Sequence, residues 1–532
     1  MLLLIGGALN ACGGGGDGPE SAAPAPSPAP SPAPAPSPAP PPVPASTSSL
    51  VPDLAPCAPS GIPGATDYQA GPGKPYAELN QIPWTALQPG DTVRIFHREL
   101  PYKTKFLIAA QGTADKPVRI CGVRGPDGQR PVIDGKDATT PATLSANGDY
   151  GTAANDIHQT RSIIVIKALA SQGWTAYPRH IQIDGLAIRG AHPDYRFSDA
   201  RGAMRAYERF GACIWLDRGH DVTIADNQIS DCQMAIFSRS TDDGDFAVTR
   251  NLRVAGNRFD GNGIVDDWFE HTTYLQSVNL LLEFNHYGPM RRGATGNQHK
   301  DRSVGSVIRY NYIDGGAHNL DLVEAEDYPA TALADPAYRR TLVYGNILKT
   351  SNAARAVVHY GGDHFGSTPG GNWGEPLFRK GTLHFFHNTV YGTSGGSVFR
   401  ISTTEETVEA WNNVFHFEGT PRLRTAENDG VGSAWVPDGV LNLGRNWINT
   451  GWQPQSPYQT LRGSVDGTAN LLTGSAAPVD TASFAPLAGS VIIDAALAGP
   501  GAAEAHRPLY QFDATADAIA PRDAATTLGA RQ

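Results

Sequence analysis

Val222-Thr-Ile-Ala-Asp-Asn227-Gln-Ile229 returns as Leu252-Arg-Val-Ala-Gly-Asn257-Arg-Phe259 and again as Leu280-Leu-Leu-Glu-Phe-Asn285-His-Tyr287. The series continues through Val307-Ile-Arg-Tyr-Asn311-Tyr-Ile313, Leu342-Val-Tyr-Gly-Asn346-Ile-Leu348 and Leu383-His-Phe-Phe-His-Asn388-Thr-Val390, and closes at Val408-Glu-Ala-Trp-Asn-Asn413-Val-Phe415. Each copy is a short strand, an asparagine, and an apolar residue one or two positions later. The steps between asparagines are 30, 28, 26, 35, 42 and 25 residues. One local pattern met seven times at such steps predicts a solenoid, in which every coil presents the same strand and turn to its neighbour. Asparagine tolerates left-handed backbone, and its amide can bond the asparagines above and below at the strand spacing of about 4.8 Å. The asparagines therefore read as a structural ladder. The unequal steps mark loop insertions, expected on one face.

Working outward, Leu87-Gln-Pro-Gly-Asp-Thr-Val-Arg-Ile95, Gly112-Thr-Ala-Asp-Lys-Pro-Val-Arg-Ile120 and Pro131-Val-Ile-Asp-Gly135 resemble the opening of bacterial right-handed β-helix proteins. The tail near Asp494–Arg531, with Arg507-Pro508-Leu509 and Leu528-Gly-Ala530, resembles their closing segment. The resemblance is to the pectate-lyase-like superfamily and spans residues 52–532. It implies an all-β, right-handed parallel β-helix over 51–532. The superfamily hosts lyases, hydrolases, epimerases and adhesins, so the resemblance implies architecture more than chemistry.

The N-terminal fifty residues differ in kind. Met1-Leu-Leu-Leu-Ile-Gly-Gly-Ala-Leu9 is too short an apolar run for a membrane span and reads as a signal peptide. Leu9-Asn10-Ala11-Cys12 resembles a bacterial lipobox, which implies lipidation of Cys12. Residues 13–50, rich in Gly, Pro, Ala and Ser, read as an extended spacer that cannot bury a core. The expectation is an exported outer-membrane lipoprotein, periplasmic or cell-surface, touching the membrane only through its anchor. The oligomeric state expected is monomer or trimer. Four further cysteines permit two disulfides in an exported chain, Cys213 with Cys232 (one coil apart) and Cys57 with Cys121. With 18% charged residues and a net charge of −10, the chain has no global basic field for nucleic acid. An acidic polymer would have to meet a local basic patch.

Offsets of 12 to 17 residues from the ladder asparagines suggest such a patch. They bring Arg239, His271, Tyr274, Lys300, Arg302, Glu324, Glu326, His359, Tyr360 and Arg400 into one strip across consecutive coils. Gly296-Asn-Gln-His-Lys300-Asp-Arg302-Ser303 and Glu270-His271-Thr-Thr-Tyr274-Leu275 resemble segments of β-helix polysaccharide lyases. The resemblance implies cleavage of an acidic, uronate-containing polysaccharide by β-elimination. Lys300 and Arg302, two apart and on one face of a strand, would engage the carboxylate. Lys300, its pKa lowered beside Arg302, or His271 or Tyr274 would move the proton. Arg239, His359, Tyr360 and Arg400 would bind substrate. Glu324 and Glu326 are candidate ligands for calcium, the one cofactor considered. The chondroitinase B and alginate lyase family likewise sets a Lys and an Arg near carboxylates, though on neighbouring coils rather than in one strand. A hydrolase using Asp242-Asp243, Asp266-Asp267 or Asp321 is the principal alternative. A non-catalytic carbohydrate-binding adhesin, stacking sugars on Trp215, Trp268 or Trp373, is the third.

Overall fold

Each sequence repeat becomes one coil of three short strands. The coil of Asn257, for example, runs through Arg253–Ala255, Arg258–Asp260 and Thr273–Leu275. Corresponding strands of successive coils pair in parallel, building sheets of 13, 11 and 11 strands. The first sheet precedes the ladder asparagines, the second follows them, and the third carries Thr273–Leu275 and its equivalents. The chain is an all-β, right-handed parallel β-helix. This computed structural model describes residues 49–52, 54–150, 156–352, 354–364, 375–403, 405–425, 439–455 and 463–532. The proposed signal peptide, Cys12, all but the last two residues of the 13–50 spacer, and Trp373 lie outside them. Among the described residues no helix is long and apolar enough to cross a membrane.

Alternation within each strand puts Val254, Leu282, Ile308, Val343, Phe385 and Val408 inside, where all are fully buried. At the corner between the first two sheets, the asparagines form a continuous hydrogen-bonded column. Asn227, Asn257, Asn285, Asn311, Asn346, Asn388 and Asn413 each donate their backbone N–H to the side-chain carbonyl of the next, ending on Asn446. The left-handed residue is the one before each of these asparagines: Asp226, Phe284, Tyr310, His387 and Asn412, or Gly256 and Gly345. The ladder residue supplies the bonds and its predecessor makes the bend. Glycine fits two of these bends because no Cβ then opposes the positive φ.

Asn311 shows what the column is worth. Its side-chain carbonyl accepts from Asn285 N–H at 2.9 Å and Nδ2 at 3.0 Å, while its own Nδ2 reaches Leu282 O at 3.0 Å. Asn311→Ala would strand these buried partners, each at about 1–3 kcal/mol. We expect a loss of roughly 3–5 kcal/mol in urea unfolding; a loss below about 1 kcal/mol would refute the ladder's structural role.

Disulfides join Cys57 to Cys121 and Cys213 to Cys232. The first ties the N-terminal arm to the first-sheet strand Val118–Val123. The long connections 261–272 and 288–298 enter the third sheet, and 239–252 and 323–339 leave it. The insertions thus rise on both margins of one face, and that sheet becomes the floor between them. On the far side, the C-terminal tail lies across the coils. Asp517 meets Arg258 and His286, each at 2.7 Å, Leu509 N–H reaches Tyr310 Oη at 2.9 Å, and Gly529 N–H reaches Asn412 O at 2.8 Å.

Candidate active site

The outer face of the third sheet carries one register of side chains: Trp215, Phe237, Tyr274, Lys300, Asp321, His359 and Arg400 are successive partners on consecutive strands. Aromatic rings occupy the first part of the row and charged or polar groups the second. Tyr360, expected in the groove, is the immediate neighbour of His359 and so points the other way. It pairs in register with Leu322 and Ile401 and is fully buried in the core. Arg239 sits two residues past Phe237, at the strand's leaving end, beside Asp217 at 3.6 Å.

Lys300 Nζ donates to Asp321 Oδ2 at 2.9 Å and also to Asp363 Oδ2. Burial opposes its charge, but these two carboxylates outweigh burial and raise its pKa. The direction is thus opposite to the lowering expected beside Arg302, and the two carboxylates favour the charged form of Lys300. Arg302 is buried and enclosed. Nε donates to Tyr274 Oη at 2.8 Å, Nη1 to Glu324 O at 2.6 Å and Nη2 to Asp363 Oδ1 at 3.0 Å, with Glu326 Oε1 at 3.2 Å from Nε. This arrangement leaves no open fork for bidentate capture of a substrate carboxylate.

Tyr274 Oη donates to Glu326 Oε1 at 3.2 Å while accepting from Arg302. Burial raises its pKa, with Arg302 pulling the other way. The Nδ1 of His271 accepts the Asn297 backbone N–H at 3.0 Å, so the neutral ring carries its proton on Nε2. Burial, then the nearby Lys300 charge, push its pKa down to about 3. The ring is a neutral donor at physiological pH.

Asp321 gathers the far half of the row. Besides Lys300 it accepts from Asn297 Nδ2 at 2.7 Å and meets His359 Nδ1 at 2.7 Å. Ser402 Oγ lies 3.0 Å from His359 Nε2. The order Ser402, His359, Asp321 is that of a nucleophile triad, yet Ser402 is fully buried and its hydroxyl donates to Gly362 O at 2.7 Å. The group orients the imidazole instead of arming a nucleophile. Arg400 is buried at the row's end, and burial lowers its pKa to about 9.

Glu324, Asp363 and His364 bring ligand atoms within 4.8 Å of one another. Glu324 Oε2 accepts the Asp363 N–H at 3.0 Å and Oε1 the His364 N–H at 3.0 Å, while Glu326 Oε2 lies 2.8 Å from His364 Nε2. The Glu324 and Glu326 side chains partner His364 outright, and hydrogen bonds to them overcome burial to raise its pKa to about 9. Arg302 is seated among these carboxylates, 3.3 Å from Glu324, 3.2 Å from Glu326 and 3.0 Å from Asp363, so a cation of the chain already holds the oxygens a calcium would use. The residues do not fit calcium.

The carboxylates of the hydrolase alternative are occupied or dispersed. Asp242 caps Ala330 and Thr331 N–H at 2.7 and 2.9 Å, Asp267 pairs with Arg209, and Asp266 forms a left-handed turn. Of the aromatic candidates, Trp215 is buried and Trp268 is exposed.

Two buried carboxyls near the groove behave differently. Glu270 Oε1 accepts Phe210 N–H at 2.7 Å and Glu406 Oε2 accepts Thr403 N–H at 2.7 Å, while their other oxygens have no hydrogen-bond partner among the described residues. Burial raises both pKa values to about 7. The unfolded chain releases these protons near pH 4.3, so between about 4.3 and 7 the native state binds more protons and stability falls as pH rises. Above that range the effect is level. A contribution on the order of 3 kcal/mol per group follows. Thermal melts should show Glu270→Gln and Glu406→Gln gaining on the wild type between pH 5 and pH 8; parallel curves would exclude the effect. Asp321 and Asp363, whose pKa values are depressed, contribute stability that is lost only in stronger acid.

No family model and no curated protein matches the sequence. Among solved structures, the chain is similar to an alginate lyase from Paenibacillus sp. str. FPU-7, at 12% identity and TM-score 0.34, covering 70% of this chain and 94% of that one. It is similar to the GH136 lacto-N-biosidase from Eubacterium ramulus at 12% identity and TM-score 0.34, covering 77% and 68%. A mannuronic acid specific polysaccharide family 6 lyase from human gut microbiota aligns at 11% identity and TM-score 0.31, covering 74% and 87%.

Proposed function

We propose that this chain is an exported polysaccharide-active enzyme that binds a uronate-containing polymer along the third sheet and cleaves it by β-elimination. The reading is carried by the outward row Tyr274, Lys300, Asp321, His359 and Arg400 at one register on consecutive coils. Elimination removes the proton α to the uronate carboxylate, so that carboxylate must be neutralised and a base and an acid supplied. Lys300 spends two of its three N–H donors on Asp321 and Asp363, and the third serves the substrate carboxylate. His271 offers its neutral Nε2–H to the same group. Tyr274 moves the proton. Its own proton leaves to solvent by way of Glu326, 3.2 Å from Tyr274 Oη, and Arg302 stabilises the phenolate left behind. The phenolate takes the α-proton, the bond to the leaving glycosidic oxygen breaks, and a carbon–carbon double bond forms. The proton then passes from Tyr274 to the departing oxygen on the same face of the ring.

A lipid on Cys12 would tether this body to the outer membrane through the 13–50 spacer. The test is the ultraviolet absorbance of unsaturated uronate on mixing the purified protein with a panel of uronate polymers. A rise that depends on Tyr274 supports the reading. New reducing ends without absorbance would replace it with hydrolysis, and retained binding without new ends would make the protein a recognition module.

A further inference from the structure

A cavity of about 380 Å³ lies off the row, where the third-sheet strands Ser162–Ile166, Ala212–Leu216 and Met234–Ser238 end. The first residues past these strands, Lys167, Asp217 and Arg239, lie on three consecutive coils, as the pairing of Ile166, Leu216 and Ser238 fixes. They make a cation–anion–cation wall. Asp217 also meets His158 Nε2 at 3.2 Å. Arg218 completes the lining, its guanidinium 4.9 Å from the centre of the Trp174 ring.

Two features separate this cavity from an ordinary charged surface. Trp174 is 67% exposed at the rim, although a large aromatic is normally covered. The preceding Gly173, at φ 89°, makes the turn that leads into it. Two buried nitrogens of the lining, His158 Nδ1 and Arg218 Nε, have no hydrogen-bond partner among the described residues. A buried nitrogen without a partner costs stability, and a ligand that bonds it recovers that cost.

We infer that this cavity is a binding pocket for one acidic sugar unit. Its volume is at the small end of ligand sites. Donors (Lys167, Arg218, Arg239) alternate with an acceptor (Asp217), as recognition of a hydroxyl-rich ring demands. The exposed Trp174 gives the apolar face of a pyranose a surface to stack on. The three cations outnumber Asp217 and the second lining carboxylate, Asp243, which favours a uronate over a neutral hexose. Arg239, the pocket residue on the coil nearest the row, is two coils from Lys300, about 10 Å across the strands, so the pocket can hold a polymer whose next units cross the row. The inference takes its ligand class from the proposed function but does not depend on which bond the row breaks.

The test is ligand-observed NMR titration of the full-length protein with glucuronate and mannuronate, with glucose as the uncharged control. Tyr274→Phe would be the background throughout, so that no turnover intrudes. Uronates should bind at least tenfold more tightly than glucose. Trp174→Ala, at an exposed position, should weaken uronate binding tenfold or more, and Arg218→Gln should abolish the preference over glucose. Unchanged uronate affinity in both variants, equal binding of glucose, or no uronate binding at all would overturn the pocket. If the wild-type protein shows no lyase activity with any polymer while uronate binding still depends on Trp174, β-elimination is overturned and the pocket stands.

Discussion

Tyr274→Phe is expected to slow the appearance of unsaturated uronate by two to four orders of magnitude while leaving the fold intact. General acid–base groups contribute about 10²–10⁴ in rate, and on the proposed mechanism this one phenol performs both transfers. The substitution removes a single oxygen. Arg302 keeps its contacts to Glu324, Asp363 and Glu326, so the cluster does not lose its charge balance. Because burial raises the phenol pKa, the phenolate is scarce at neutrality. The wild-type kcat/KM should therefore climb with pH on the alkaline side, and the residual activity of the variant should lose that limb. A variant with more than a tenth of wild-type activity and the same alkaline limb would exclude Tyr274 as the proton carrier.

The second large effect concerns Arg302. Its guanidinium lies among Glu324, Glu326 and Asp363, at 3.3, 3.2 and 3.0 Å. Removing one partner of a buried ion cluster costs about 3–5 kcal/mol, because the remaining charges stay buried without compensation. Arg302→Met should lose that much in denaturant unfolding. It should also acquire something the wild type lacks. With the guanidinium gone, Glu324, Asp363 and His364 are free to take a divalent ion once His364 deprotonates, so millimolar calcium or zinc should raise the melting temperature of the variant. Neither those ions nor a chelator should move that of the wild type. A wild-type protein that binds calcium stoichiometrically and melts higher for it would show that Arg302 does not fill the cation's place.

The architecture was legible because it is written locally and repeatedly: a strand, an asparagine and an apolar residue recur whatever the loops do. The sequence did not distinguish the two jobs at the corner, the bend of Asp226 or Gly256 and the bonds of Asn227 or Asn257. The row was legible only in part, because counting from the asparagines assumes a constant path to the third sheet. Tyr274 lies 17 residues after Asn257, Lys300 15 after Asn285, but Asp321 only 10 after Asn311. The short connection there moved Glu324 into the expected column and Asp321 out of it. The alternation itself held the answer, since Leu320-Asp321-Leu322 matches Val358-His359-Tyr360 position for position. The same parity turns Tyr360 inward. Asp363 and His364 follow a strand end, where no periodicity reaches, and only the folded chain brings them to Lys300 and Glu324.

The C-terminal tail has a consequence for how such a stack fails. Coils that touch only their neighbours can peel from an end, one at a time, with little loss to the rest. Here the tail joins the coil of Arg258 to that of Asn412 through Asp517 and Gly529. Fraying at the last coil must therefore strip contacts from the middle of the molecule. The tail acts as a binding along the spine of a book, coupling distant pages so that they open together or stay closed.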